Sequence, residues 1–304
     1  MTPDTLETLL AIAPSNDSPT EVTSGNPIVY MNGRRTVPTL SSVLVSSSRW
    51  LNEPAIREWI STESLRKNGA DYPLLYGTHD LITAIDRVQD RDRVEKLITA
   101  ERARNKALDR WFGERFISTY TLDDLGDNPE GSIGRLLHDH MTALGLSPEL
   151  NSRRMADPNW APQSDIDYFN LRSGQTHDFD HILGEVGFGV MAEIFPTGLR
   201  TGNIFAHISP ELAGELLVIN SFIIFPWLMR TMLHYPAAWP TLWRNLEHGY
   251  SVGQQSDLLF TAKFEDMLHL SPAEARQKLG IRGFRGPSDS AFGSRVFGEG
   301  REIL

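Results

Sequence analysis

The sequence predicts an all-α protein: a single multi-helix domain with a metal-bearing helix pair, set between poorly ordered N- and C-terminal segments. Three observations carry this. Apolar residues recur at helical spacing from about Trp50 to Leu279, and no alternating strand pattern recurs. Hydrophobic content of 40% and seven tryptophans in 304 residues suffice for a substantial core. Stretches rich in Ser, Thr, Pro, Asn and Gly before about Ser48, and in Gly, Ser and Arg from Arg282, bracket that periodicity. The expected organisation is a largely irregular segment over 1–48, a helical domain over 49–281 and a flexible tail over 282–304.

A short helix is expected over Thr2–Ile12 and one short strand near Ile28–Met31. Pro54 after Asn52-Glu53 suits the first turn of a helix, with Ile56, Trp59 and Ile60 on one face. Leu81 to about Phe116 reads as one long or two consecutive amphipathic helices, and Gly131–Leu144 as another. Asp165–Leu183 reads as the metal-bearing segment, with a break expected at Gly174. Glu211–Leu233 is apolar almost all round, with a kink or end expected near Pro226. Ser271-Pro272-Ala273-Glu274 has the cap, the first-turn proline and the capping-box acid of a helix start.

A net charge of −10 argues against a nucleic acid partner. The absence of cysteine excludes disulfides, thiolate sites and cysteine nucleophiles. No secretory signal is read at MTPDTLETLL, and the longest uncharged apolar run, Leu216–Met229, falls short of a ~20-residue span. Gly-x-Ser-x-Gly, Walker and Gly-x-Gly-x-x-Gly motifs are missing.

The chemistry concentrates in His177-Asp178-Phe179-Asp180-His181 and Glu193. On a helix, two histidines four apart lie about 40° from each other and ~6 Å apart, able to present two nitrogens to one ion. Asp178 and Asp180 fall on opposite flanks of that stripe, so spacing does not choose between them. Glu185 lies ~12 Å along the axis from His177, and Glu193 about 24 Å unless the chain turns back. Gly184, Gly187 and Gly189 supply such a turn. Two nitrogens plus one or two carboxylates suit zinc, and also non-haem iron or manganese. The bland alternative is a polar face with hydrogen-bonded histidines and solvated acids.

Other histidines read as ordinary. His138 and His140, two apart in a helix, face opposite ways, and His79-Asp80 reads as a helix start. The group Phe222, Phe225, Trp227, Leu228, Tyr235, Trp239 and Trp243 reads first as core. Its density also fits a pocket for an isoprenoid chain or a surface dipping into a bilayer interface.

Thr176–His181 with Glu193 resembles the metal motif of the coenzyme Q biosynthesis protein four family. Pro129–Arg135 with His140-Met141 and Leu144–Leu146 resembles the family's upstream segment. Gly249–Gly253, Phe264–Asp266 and Ala273–Arg276 ending in Leu279–Ile281 resemble its C-terminal helices. The resemblance spans about Leu81 to Ile281. It implies a helical fold and a divalent ion, zinc above iron or manganese, held by His177, Asp178, His181 and Glu193, so choosing Asp178. It implies ubiquinone biosynthesis: removal of the ring carboxylate from a prenylated hydroxybenzoate by a carboxy-lyase, in some accounts with hydroxyl replacing it. The alternative is a non-catalytic prenyl-lipid-binding scaffold with a structural metal. The implied partners are a prenylated aromatic quinone precursor, other ubiquinone-biosynthesis enzymes and the membrane surface, with a homodimer left open. The implied place is cytoplasmic, peripheral on the inner membrane face. Two features depart from the family pattern: Glu185 is an extra acid in the loop, and Pro196 falls just after Glu193, so a short or kinked returning helix is expected.

Overall fold

A computed structural model describes residues 45–65, 77–148, 160–189 and 192–286. Expectations for Thr2–Ile12, Ile28–Met31 and the chain after Gly286 lie outside them. Among the described residues there are thirteen α-helices, three 3₁₀ turns and no strand, as expected of an all-α chain.

Before the histidine motif come α1 (Pro54–Leu65), α2 (Thr78–Val88), α3 (Arg91–Arg104), α4 (Lys106–Glu114), α5 (Leu122–Gly126) and α6 (Ile133–Leu144). Three helices therefore occupy the stretch read as one or two. Asp90 and Asn105 each cap the helix that follows by accepting from backbone N–H groups, which restarts the helix twice without a glycine or proline. Ser132 caps α6, and Gly145, in the left-handed region at φ 65°, ends it.

The histidine segment is two helices, α7 (Asp165–Gln175) and α8 (His177–Leu183). They break at Thr176, two residues beyond the expected Gly174. The Thr176 hydroxyl donates to the Arg172 carbonyl at 2.9 Å, beside the Thr176 backbone N–H at the same distance. After a turn, α9 (Ile194–His207) runs fourteen residues. Pro196 lies in its first turn, where a missing N–H costs nothing, so the expected shortening does not occur.

The apolar run forms α10 (Pro210–Leu216) and α11 (Val218–His234), bent by 70° at Leu217 rather than at Pro226. Pro226 sits inside α11 because the carbonyl it would orphan, Phe222, accepts the Trp59 indole N–H at 2.7 Å. No single described helix is long and apolar enough to cross a membrane. Trp227 is buried against Ile194, Ile224, Ala238 and Leu242, as a core reading requires. Phe225, Met229, Met232 and Leu233 instead share an exposed face, and Trp243 is also exposed.

The chain ends in α12 (Trp239–Gln255) and α13 (Pro272–Lys278); the latter has the expected Ser271/Glu274 capping box. Helices α9 and α12 run parallel with their backbones in contact. A Cβ at Gly202 would lie 2.1 Å from the Tyr250 carbonyl oxygen, and one at Gly253 2.1 Å from that of Leu199. Only glycine permits this approach. It fixes α9, and with it Glu193, against the C-terminal part of the fold.

Candidate metal centre

Helix α8 presents both histidines on one face, and the glycine turn returns Glu193 to them at the start of α9. His177 Nε2 lies 3.0 Å from Glu193 Oε2, His181 Nε2 lies 3.3 Å from the same oxygen, and the two nitrogens are 3.2 Å apart. Three potential ligands that seemed far apart along a straight helix thus form a near-equilateral triangle. Around a tetrahedral ion with bonds of ~2.05 Å, neighbouring donors are about 3.3 Å apart. Around an octahedral ion with bonds of about 2.2 Å the separation is about 3.1 Å. The donor set therefore fits zinc, and equally the two-histidine, one-carboxylate face of iron or manganese.

The histidine orientation is set from behind. His181 Nδ1 lies 2.8 Å from the Gly187 carbonyl oxygen, which can only accept, so Nδ1 carries the proton. In the neutral ring Nε2 then offers its lone pair to the triangle, the usual support for a ligating histidine. His181 is fully buried, whereas the His177 side chain is 36% exposed, so the centre opens on the His177 side.

The two aspartates separate cleanly. Asp180 is buried and pairs with Arg200 Nε. Arg200 also donates to the Ser173 hydroxyl at 2.6 Å, the Ser173 carbonyl at 2.9 Å and Thr176 Oγ1 at 3.3 Å. Asp180 is committed to holding α8 and α9 together. Asp178 is half-buried and lies outside the three-donor group, within electrostatic range of His140 and Tyr120. Glu185, in the left-handed region at φ 49°, turns outward to Arg276 at 2.6 Å. Arg276 also donates to the Leu183 carbonyl at 2.9 Å, so the extra acid anchors the end of α8 rather than joining the centre.

The charges reinforce one another. Burial pushes the Glu193 carboxyl up, but His177 and His181 outweigh it and hold it well below the usual carboxylate range. Burial pulls the His177 imidazole down, but Glu193 outweighs that and raises it. The ordered pair of opposite charges is a ready site for a cation once the imidazole loses its proton.

Some neighbours carried no sequence signal. Arg200 has no spacing relation to the histidines. His138 and His140 do face different ways: His138 pairs with Asp139 at 2.9 Å, while the half-buried His140 ring stacks on Phe188. Burial lowers the His140 pKa, with Asp178 pulling it back up, His181 adding to the lowering and Glu193 opposing it. Only the glycines flanking Phe188 hinted that this residue matters.

Fold and site together define an all-α protein with a two-histidine, one-carboxylate donor cluster between two helices. No protein-family model matches the chain, and no curated protein matches it. Among solved structures, the chain resembles a Nostoc punctiforme protein provisionally described as a ubiquinone biosynthesis protein. Identity is 22% and the TM-score 0.52, over 75% of this chain and 95% of that one. At that identity the likeness shows the shared fold.

Proposed function

We propose that this chain is a divalent-metal protein of ubiquinone biosynthesis that removes the C1 carboxylate of a prenylated hydroxybenzoate. The observation that carries the reading is the His177–His181–Glu193 triangle, whose edges suit a small divalent ion. The fold shared with the Nostoc protein supports the pathway.

A divalent ion, zinc first, supplies Lewis acidity that draws the ring carboxylate or phenolate and stabilises negative charge. In this reading His177, His181 and Glu193 would hold it, and Asp178 would stay outside the ligand set. His181 is kept in the right tautomer by the Gly187 carbonyl. In the reaction the C1–carboxylate bond breaks, carbon dioxide leaves, and the ring carbon takes up a proton. Replacement by hydroxyl would also need an oxidant, because zinc has no redox chemistry of its own.

Ile194, next to Glu193, packs with Ile224 and Trp227 of α11, whose outer face exposes Phe225, Met229, Met232 and Leu233. That exposed face suits a lipid interface or a prenyl tail, with each tail CH₂ it buries contributing about 0.8 kcal/mol. We place the protein peripherally at the membrane, beside the enzymes that supply and consume its substrate.

A second reading rests on Asp178. If it completes a closed four-ligand site, the ion is structural and the protein a prenyl-lipid-binding scaffold. Zinc-loaded full-length protein, incubated with a prenylated hydroxybenzoate and followed by mass spectrometry, separates the two. Loss of the carboxyl group in the parent but not in His181→Ala supports the enzyme. Tight prenyl-lipid binding with full metal content and no turnover supports the scaffold.

A further inference from the structure

Phe188 lies between two imidazoles. Its ring is stacked on His140 with centroids 3.4 Å apart and planes 10° from parallel. Its other neighbour is His181, at 5.0 Å and 23°. A planar six-membered ring thus already occupies a slot whose near wall is one of the three candidate metal ligands and whose far wall is His140 of α6. Phe188 is carried on Gly187 and Gly189, and a Cβ at Gly187 would meet nothing within 4 Å. Glycine on both sides gives this turn more backbone freedom than the helices it joins. Phe188 is half-buried, packed against the edge of the core.

We propose that the His140 face covered by Phe188 is the platform for the aromatic ring of the substrate, and that Phe188 is a plug displaced when a planar aromatic acid binds. The inference rests on the metal-site reading above and adds the place and the chemistry of ring recognition. A ring in this slot has its centre 5.0 Å from the ring of His181, close enough for a carboxylate or phenolate on its edge to be directed at the donor triangle. The slot selects by planarity and thickness: an aromatic acid fits between the two imidazoles, a saturated ring of the same size does not. His140 acts here by its flat face, so another aromatic residue should replace it.

The test titrates 4-hydroxybenzoate, a tail-free probe, into zinc-loaded full-length protein by calorimetry, with the zinc content of every variant measured alongside. Phe188→Ala removes the plug and should tighten binding about three- to ten-fold, the size of one aromatic stacking contact. His140→Ala in the Phe188→Ala background should lose that gain, whereas His140→Phe should keep it, and cyclohexanecarboxylate should gain nothing. Retained zinc with no tightening in Phe188→Ala would overturn the plug and platform while leaving the metal site standing. Equal binding by the His140→Ala and His140→Phe doubles would overturn the platform. If the parent holds no zinc and Phe188→Ala gains nothing, the metal reading and this one fall together.

Discussion

The Asp180 carboxylate accepts from Arg200 Nε, joining the helix of the two histidines to the helix that begins at Glu193. The donor triangle spans the same two helices, so its dimensions depend on this buried pair. Removing one partner leaves the other's charge buried, at a cost of roughly 3–5 kcal/mol. Arg200→Ala should lower the melting temperature and weaken zinc binding about 10–100-fold, the usual effect of losing support behind a metal ligand. Asp180→Asn should do less to stability and still weaken zinc. Chelator-competition titrations check both.

Glu193 is shifted down and His177 up, so their contributions to metal-free stability have opposite pH slopes. The lowered Glu193 stabilises above its ordinary value of 4.5 and is lost as pH falls through its folded value. The raised His177 stabilises below 6.5 and is lost as pH rises through its folded value. The pair therefore helps most between 4.5 and 6.5. Zinc requires neutral His177, so its added stabilisation should grow with rising pH. Melting curves of metal-free and zinc-loaded protein across this range, against Glu193→Gln, should show the two opposite trends.

Trp59 and Pro226 should be coupled. Trp59→Phe removes the donor that satisfies the Phe222 carbonyl and should cost about 1–3 kcal/mol. With Pro226→Ala the backbone N–H at 226 can serve that carbonyl, and the cost of Trp59→Phe should shrink. A denaturant-based double-mutant cycle measures this coupling.

Glycines of the parallel pair should tolerate nothing. At Gly202 or Gly253 an alanine methyl would lie 2.1 Å from a backbone oxygen, so either change should destabilise by several kcal/mol or prevent folding. Gly214 in α10 has open space, so Gly214→Ala should stabilise by about 0.5–1 kcal/mol. Thermal melts of the three variants give the comparison.

Helical class, most element positions and the triad of donors were legible because they rest on local periodicity and on a glycine turn between His181 and Glu193. Element breaks were less so. Thr176 and Leu217 interrupt helices without a breaker residue, while Pro226, a strong breaker, is neutralised by Trp59 from 167 residues away in sequence. The role of Asp180 depends on Arg200, and that of His140 on Phe188. Neither pairing has a sequence period, because each is made by packing between elements rather than along one.

The central claim is that His177, His181 and Glu193 hold one divalent ion. It is tested most directly by elemental analysis of purified full-length protein beside His181→Ala, Glu193→Gln and Asp180→Asn. The parent should hold close to one equivalent of metal, with near-complete loss in His181→Ala and Glu193→Gln and partial retention in Asp180→Asn. Unchanged metal content in His181→Ala and Glu193→Gln, or none in the parent after zinc loading, would contradict it.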